Sequence, residues 1–232
     1  MRRVYKTVSV DEDTGAFRVL LDRKPVMTPQ RKALSTAHRT LAEAVAAEWD
    51  AQTTTIDPEA MPLTRLVSTG LDRVAPQRDV IIGGLLDYAH GDLLCYRAAY
   101  PADLAARQEK IWQPVLDWLA GMHGVTMTAV TGIMPHSQTP ETVDALSRAL
   151  ATLDDDHLNA LQASASITNS LALSLALVHR QISALEAFAA ANLDESYQIE
   201  RWGVDELAQQ RRRHIESDLL AIGEYLRLLK LP

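Results

Sequence analysis

The feature that most constrains this chain is a change of periodicity near residue 60. Before it, apolar residues come in short β-branched or alternating runs broken by turn residues. Val4–Val10 is followed by Asp11-Glu12-Asp13-Thr14-Gly15, and Phe17, Val19 and Leu21 alternate into a half-buried strand. Asp22-Arg23-Lys24-Pro25 turns the chain again towards Val26-Met27-Thr28, which Pro29 ends. A sheet this small is marginal in water and needs a cover. The first helical stripe supplies one: Thr36 is placed to cap 37–49, with Leu41, Val45 and Trp49 on one face, and Thr53–Ile56 reads as an edge strand.

Beyond residue 60 nearly everything repeats every three or four residues. Leu63, Leu66, Val67, Leu71 and Val74 form one stripe, and Val80, Ile81, Leu85 and Tyr88 a second that opens at Pro76. A helix through Leu104, Ile111, Trp118 and Leu119 contains Pro114, expected to kink it, and a short strand is expected at Val125–Thr128. Helices follow over 140–150, 154–165, 167–178, 184–191, 194–202 and 204–229, with Ser183 as a cap. The stretch Ile167–Val178 is apolar nearly all round and should be the most buried. The expected architecture is α+β: a small β-rich N-terminal domain over 1–60, packed with a helix, then a larger all-helical domain over 61–232.

Charge narrows the classes of partner. The chain carries 23 Lys and Arg against 30 Asp and Glu, a formal −7. That balance argues against a nucleic-acid binder, which needs a basic face. The excess is uneven: residues 1–32 carry +4 and the remaining 200 carry −11, a polarity that suits protein partners. Cys95 is the single cysteine, so no intrachain disulfide forms. The basic start lacks the apolar run of a signal peptide, and twelve interrupted residues at 167–178 cannot span a bilayer. These features suggest a cytoplasmic protein.

Signatures of catalysis are missing. No two of the seven histidines stand at the spacing of a zinc helix, there is no phosphate loop or dinucleotide fingerprint, and no nucleophile elbow. No metal or cofactor is expected. Gly83-Gly84 lies inside a helical pattern, where it reads as room for close packing, and Cys95 reads as a buried, inert thiol.

Three cassettes remain. Glu48-Trp49-Asp50-Ala51-Gln52 ends a helix, with Trp49 placed to lock helix to sheet. Asp92-Leu93-Leu94-Cys95-Tyr96-Arg97 looks like an interdomain junction, with an Asp92–Arg97 ion pair as one option. The third runs from Leu193 to Glu206, where Asp194, Gln198 and Arg201 would share one helical side and Tyr197, Glu200 and Val204 another. Dense carboxylates with amphipathic aromatics suit a protein-binding surface. They also suit a helix end at Trp202-Gly203 followed by an acidic helix start.

In these cassettes the chain resembles the assembly chaperones of the catalytic head of ATP synthase, in the branch that attends the alpha subunit. The resemblance is carried in order by Tyr5–Val10, Phe17–Asp22, Lys24–Pro29, Leu41–Ala44, Glu48–Gln52, Ile56–Pro58, Met61–Leu66 and Asp92–Arg97. Trp112, Pro114, Leu116, Asp117, Trp118, Asp194, Glu195, Gln198, Glu200, Trp202 and Gly203 continue it.

The resemblance implies a two-domain chaperone without catalysis or cofactor. Its client would be the free alpha subunit, whose beta-facing surface it masks until beta subunit displaces it. It further implies client binding through Glu195 first, with Asp194, Gln198, Glu200 and Trp202 around it and Trp49 as a structural determinant touching the client. Relatives work in bacterial cytoplasm or the mitochondrial matrix, and a monomer suits displacement by one beta subunit. Two positions depart from the family pattern: Arg23 and Asn169 stand where glycines are usual. The competing reading is a hydrolase or lyase with Glu48, Asp92, Glu195 or Glu200 paired in an interdomain cleft.

Overall fold

A computed structural model of the protein describes residues 2–229; Met1 and the last three residues of the expected helical domain lie outside them. The described chain divides into two compact units, one of residues 2–78 with 224–229, the other of 79–223. The architecture is α+β, as expected.

In the first unit, β1 (Val8–Asp13) and β2 (Ala16–Leu21) form an antiparallel hairpin closed by Thr14 and Gly15. Both turn residues have positive φ, +51° and +83°, the geometry whose twist matches paired strands. The strand starts later than Val4 and continues through the acids read as a turn. Arg18 makes this tolerable, because it stands opposite Asp11 and bonds both carboxylate oxygens, at 3.0 and 2.7 Å, while also reaching Asp13.

On the other side of β2 lie β3 (Lys24–Pro25) and β4 (Ser35–Thr36). Asp22 and Arg23, at φ +48° and +67°, make the β2–β3 turn. Arg23 therefore keeps the left-handed conformation that a glycine would adopt more easily. Compensation comes from Asp22, whose carboxylate accepts the Lys6 and Thr7 amides at 3.0 and 2.9 Å. Past Pro25 only a bridge, Met27 to Ala33, replaces the expected return strand, and Thr53–Ile56 contributes only the bridge Arg2 to Thr55.

Helix α1 (Arg39–Asp50) lies on β1 and β2, burying Leu41, Ala42 and Val45 with Val19, Leu20 and Leu34. It starts later than expected because Thr36 is drawn into β4, where its hydroxyl accepts the His38 amide at 3.2 Å. The Glu48 carboxylate of α1 then caps α2 (Pro62–Thr69), accepting from the Leu63 and Thr64 amides at 2.7 and 2.8 Å. A π-helical turn, Gly70–Val74, follows; its buried Asp72 accepts the Thr28 hydroxyl at 2.7 Å and the Gln30 amide at 3.0 Å. These two carboxylates hold residues 62–78 to the β-rich part. The first compact unit accordingly runs on through residue 78.

The second unit holds α3 (Arg78–Asp87, from its second residue), α4 (Ala102–His123), α5 (Pro140–Ala151), α6 (Asp155–Thr168), α7 (Leu171–Val178), α8 (Ala184–Ala191) and α9 (Leu193–Trp202). It also holds α10 (Glu206–Leu228), whose residues from Glu224 onward belong to the first unit. Every residue of α7 is buried, against α4, α6 and α8. The expected continuous helix over 167–178 is broken in two. Asn169, at φ +51°, ends α6, and the Ser170 hydroxyl caps α7 by accepting the Leu173 amide at 3.0 Å. Asparagine tolerates this left-handed conformation better than most residues.

Pro114 sits inside α4 without ending it. The short strand after α4 is β6 (Val130–Thr131), parallel to β5 (Tyr96–Arg97), and not Val125–Thr128. A Cβ added at Gly83 or Gly84 would meet nothing within 4 Å, so neither glycine serves close packing.

Candidate functional site

Helix α9 carries five of the six residues singled out for client binding, and α4 pins it down. Leu193 and Tyr197 are its buried residues. The Tyr197 hydroxyl donates to Asp103 at 2.7 Å, and Arg201 donates to the other oxygen of the same carboxylate at 2.8 Å. Those bonds, the tyrosine's foremost, hold the Asp103 carboxyl down at about 2. The guanidinium of Arg201 also lies 3.9 Å from the centre of the Tyr197 ring. From the next turn of α4, Arg107 grips both oxygens of Glu200, at 2.9 and 2.7 Å. Gln108 donates to Asp194 at 2.7 Å while its own carbonyl accepts the Ala98 amide.

Glu195, the leading candidate, faces α10. It bonds Arg211 and, at 3.0 Å, Arg212, and its side chain is only 23% exposed. The structure thus brings Asp194, Glu195, Gln198, Glu200 and Trp202 onto one helix, with the three carboxylates engaged inside the fold. Gln198 and Trp202 stand in solvent, Trp202 at 76% exposure. Of the side expected for Tyr197, Glu200 and Val204, the first two form it, since Arg107 grips Glu200 and lies 5.3 Å from the centre of the Tyr197 ring, whereas Val204 lies past the helix end at Gly203.

Trp49 belongs to the first unit. It is half-buried, meets the Tyr5 ring edge-on at 6.0 Å between centroids, and accepts the Tyr5 hydroxyl on its carbonyl at 2.5 Å. Trp49 thus ties α1 to the N-terminal segment before β1, in place of the expected lock of helix to sheet. Its indole Nε1 is buried with no partner among the described residues.

Asp103, Arg107 and Gln108 escaped the sequence reading. They lie some ninety residues from their partners on α9; Asp103 and Arg107 look like ordinary helix-surface residues and Gln108 is a buried one, so no local signal marks them.

The remaining cassette is structural. Asp92 lies within the second unit and is fully buried. Its carboxylate accepts the Leu94 amide at 3.0 Å, the Ser170 hydroxyl at 2.8 Å and the Ala172 amide at 3.0 Å. Burial pushes its carboxyl upward, against the pull of these donors. The optional Asp92–Arg97 pair is absent: Arg97 instead lies 3.7 Å from Glu109, bonds Gln113, and sits over the Trp112 ring. Cys95 is buried, and burial pushes its thiol up to about 12.

These arrangements leave little for acid–base chemistry. Glu48 caps α2, Asp92 is saturated with donors, and Glu195 and Glu200 are held by arginines. A groove of about 310 Å³ in the second unit is lined by Ile111, Pro114, Leu173, Ile182 and Ala189 among others, and by none of those four acids. Among the described residues no group of three or more His, Cys, Asp or Glu is arranged to hold a metal ion, and no helix is long and apolar enough to cross a membrane.

Known proteins share both sequence and fold with this chain. A family model described as ATP12 chaperone protein matches residues 2–120. The mitochondrial protein atp12 of Schizosaccharomyces pombe is 26% identical over 214 residues, covering 87% of this chain and 74% of the relative. The crystal structure of Atp12 from Paracoccus denitrificans superposes with a TM-score of 0.92 at 35% identity, covering 99% of this chain and 98% of that one. The Atu1473 protein of Agrobacterium tumefaciens gives 0.93 at 39% identity, over 99% of this chain and 86% of that one. With a matching family model over half its length and a shared fold over nearly all of it, the chain belongs to the ATP12 family of ATP synthase assembly chaperones and is not an enzyme.

Proposed function

We propose that this protein binds the unassembled alpha subunit of the ATP synthase catalytic head and covers its beta-facing surface until beta subunit takes its place. The observation that carries this reading is Trp202, a large aromatic left in solvent at the end of a helix that α4 and α10 hold rigid. A rigid element presenting an exposed tryptophan is costly to keep unless a partner covers it, and tryptophan is over-represented where protein interfaces draw their energy. Glu195, Asp194, Gln198, Glu200 and Trp202 form the client-binding region, and Trp49 supports or touches the client from the first unit. The chaperone works as a monomer in bacterial cytoplasm.

The physics is mass action. A free subunit exposes apolar surface that would otherwise aggregate, and any binder of the folded form draws the equilibrium towards it. No bond is made or broken, and release follows when a partner binds the same surface more tightly.

The test compares wild type with Glu195→Lys in co-purification with alpha subunit, with melting curves alongside. The variant sets a third cation beside Arg211 and Arg212. Loss of alpha subunit from a folded variant supports the reading, whereas full recovery of the complex counts against this region as the binding site.

A further inference from the structure

We propose that the turn between α9 and α10, from Trp202 to Leu207, is the part that grips the client, and that it takes a segment with apolar side chains flanked by lysine or arginine. This rests on the chaperone reading above and names the chemistry of its partner. Trp202, Val204 and Leu207 are 76%, 43% and 77% exposed, three large apolar residues within six positions. Single exposed apolar residues are ordinary, but several gathered at one projecting turn are typical of an interaction surface.

The charged residues of the turn itself, Asp205 and Glu206, are both acidic. Arg201 is neutralised by Asp103 and Arg107 by Glu200, whereas Arg211 and Arg212 share the single carboxylate of Glu195 on the side of α10 that faces α9. Asp205 and Glu206 have no ion pair among the described residues. Asp205 accepts the Ala208 amide at 2.9 Å as a cap, and Glu206 has only Gln210, at 3.5 Å. Arg213 stands seven residues beyond Glu206, about 10 Å along the helix and about one Debye length away at physiological salt. Asp205 and Glu206, two carboxylates without an ion pair among the described residues, therefore lie among the apolar residues of the turn and attract a cationic partner.

The backbone fixes the presentation. Gly203 has φ +81° and ψ 177°, a region that residues with a Cβ rarely adopt. Nothing lies within 4 Å of a Cβ built there, so the glycine is required by the bend and not by packing. On this account Asp194, Glu195 and Glu200 are positioning residues: their partners hold the root of the turn, and the turn meets the client.

The test measures affinity of the full chain for purified alpha subunit, for wild type, Val204→Ser with Leu207→Ser, and Glu206→Lys. Melting temperature is recorded for each, and affinity is taken at low and high salt. All three positions are exposed, so the fold should persist. The serine pair is expected to weaken binding about tenfold or more at both salt concentrations. Glu206→Lys is expected to weaken it at low salt and to flatten the salt dependence. If wild type binds and both folded variants bind equally well, the turn is not the grip, although the chaperone reading survives. If wild type itself fails to bind alpha subunit, both fall.

Discussion

Asp103 and Tyr197 sit 94 residues apart in sequence and 2.7 Å apart in space, with the tyrosine hydroxyl donating to the carboxylate. Together with Arg201 on the second oxygen, this bond fixes the register of α9 on α4. Leu193 and the Tyr197 ring are the buried anchors of this short helix, and bonds from Arg107, Gln108 and Arg212 to Glu200, Asp194 and Glu195 add to them.

Breaking that bond should loosen α9 before the rest of the second unit. Tyr197→Phe keeps the ring and leaves Asp103 with Arg201. Faster amide exchange at residues 194–202 is expected, with exchange in α7 unchanged. Acid should have the same effect on wild type. The Asp103 carboxyl is lowered to about 2 in the folded protein from 3.8. Its contribution is therefore complete above about pH 4 and lost as pH falls through that interval. Protection factors in α9, taken relative to the intrinsic exchange rate at each pH, that stay flat from pH 5 to pH 2.5 would contradict this.

Asp92 should be the most demanding carboxylate in the chain. It joins the segment before β5 to the α6–α7 break, through three donors and a buried site. Asp92→Asn turns an amide NH2 towards at least one donor, so a loss of about 1–3 kcal/mol is expected in denaturant unfolding. Asp92→Ala, which leaves every donor unsatisfied, should cost more.

Histidine gives the second unit a sensitivity to mild acid. The His123 and His179 rings stand 4.8 Å apart, each near Trp118, and the Nε2 atoms of His123, His157 and His179 are buried without a partner among the described residues. Burial lowers His123, and burial followed by His123 and His157 takes His179 down to about 4. The unfolded chain takes up these protons near 6.5, so stability is complete above that pH and falls between about 6.5 and 4. His179→Phe should flatten the decline in melting temperature over that range. An unchanged slope would show that other groups govern it.

Elements with a local cause could be read directly from the amino acids. The stripe of Leu41 and Val45 made α1, and Ser183 with Glu186 formed a full capping box at the start of α8. The fold class and the burial of 171–178 followed from the same periodicity. Features that failed to appear depend on partners distant in sequence. Asn169 breaks an apolar run whose composition looks continuous, because Asp92 binds Ser170 and Ala172 across it. Residues 62–78 join the first compact unit because Glu48 reaches Leu63 and Asp72 reaches Thr28. At the candidate site, Glu195 stood out in the sequence, but its engagement by Arg211 and Arg212 depends on how α9 folds back on α10.

The most direct measurement is size exclusion of this protein with purified alpha subunit, before and after beta subunit is added. The account predicts that the two co-elute, and that beta subunit releases the chaperone into its own fraction. Separate elution of chaperone and alpha subunit from the start, or a chaperone that stays bound once alpha and beta have assembled, would contradict it.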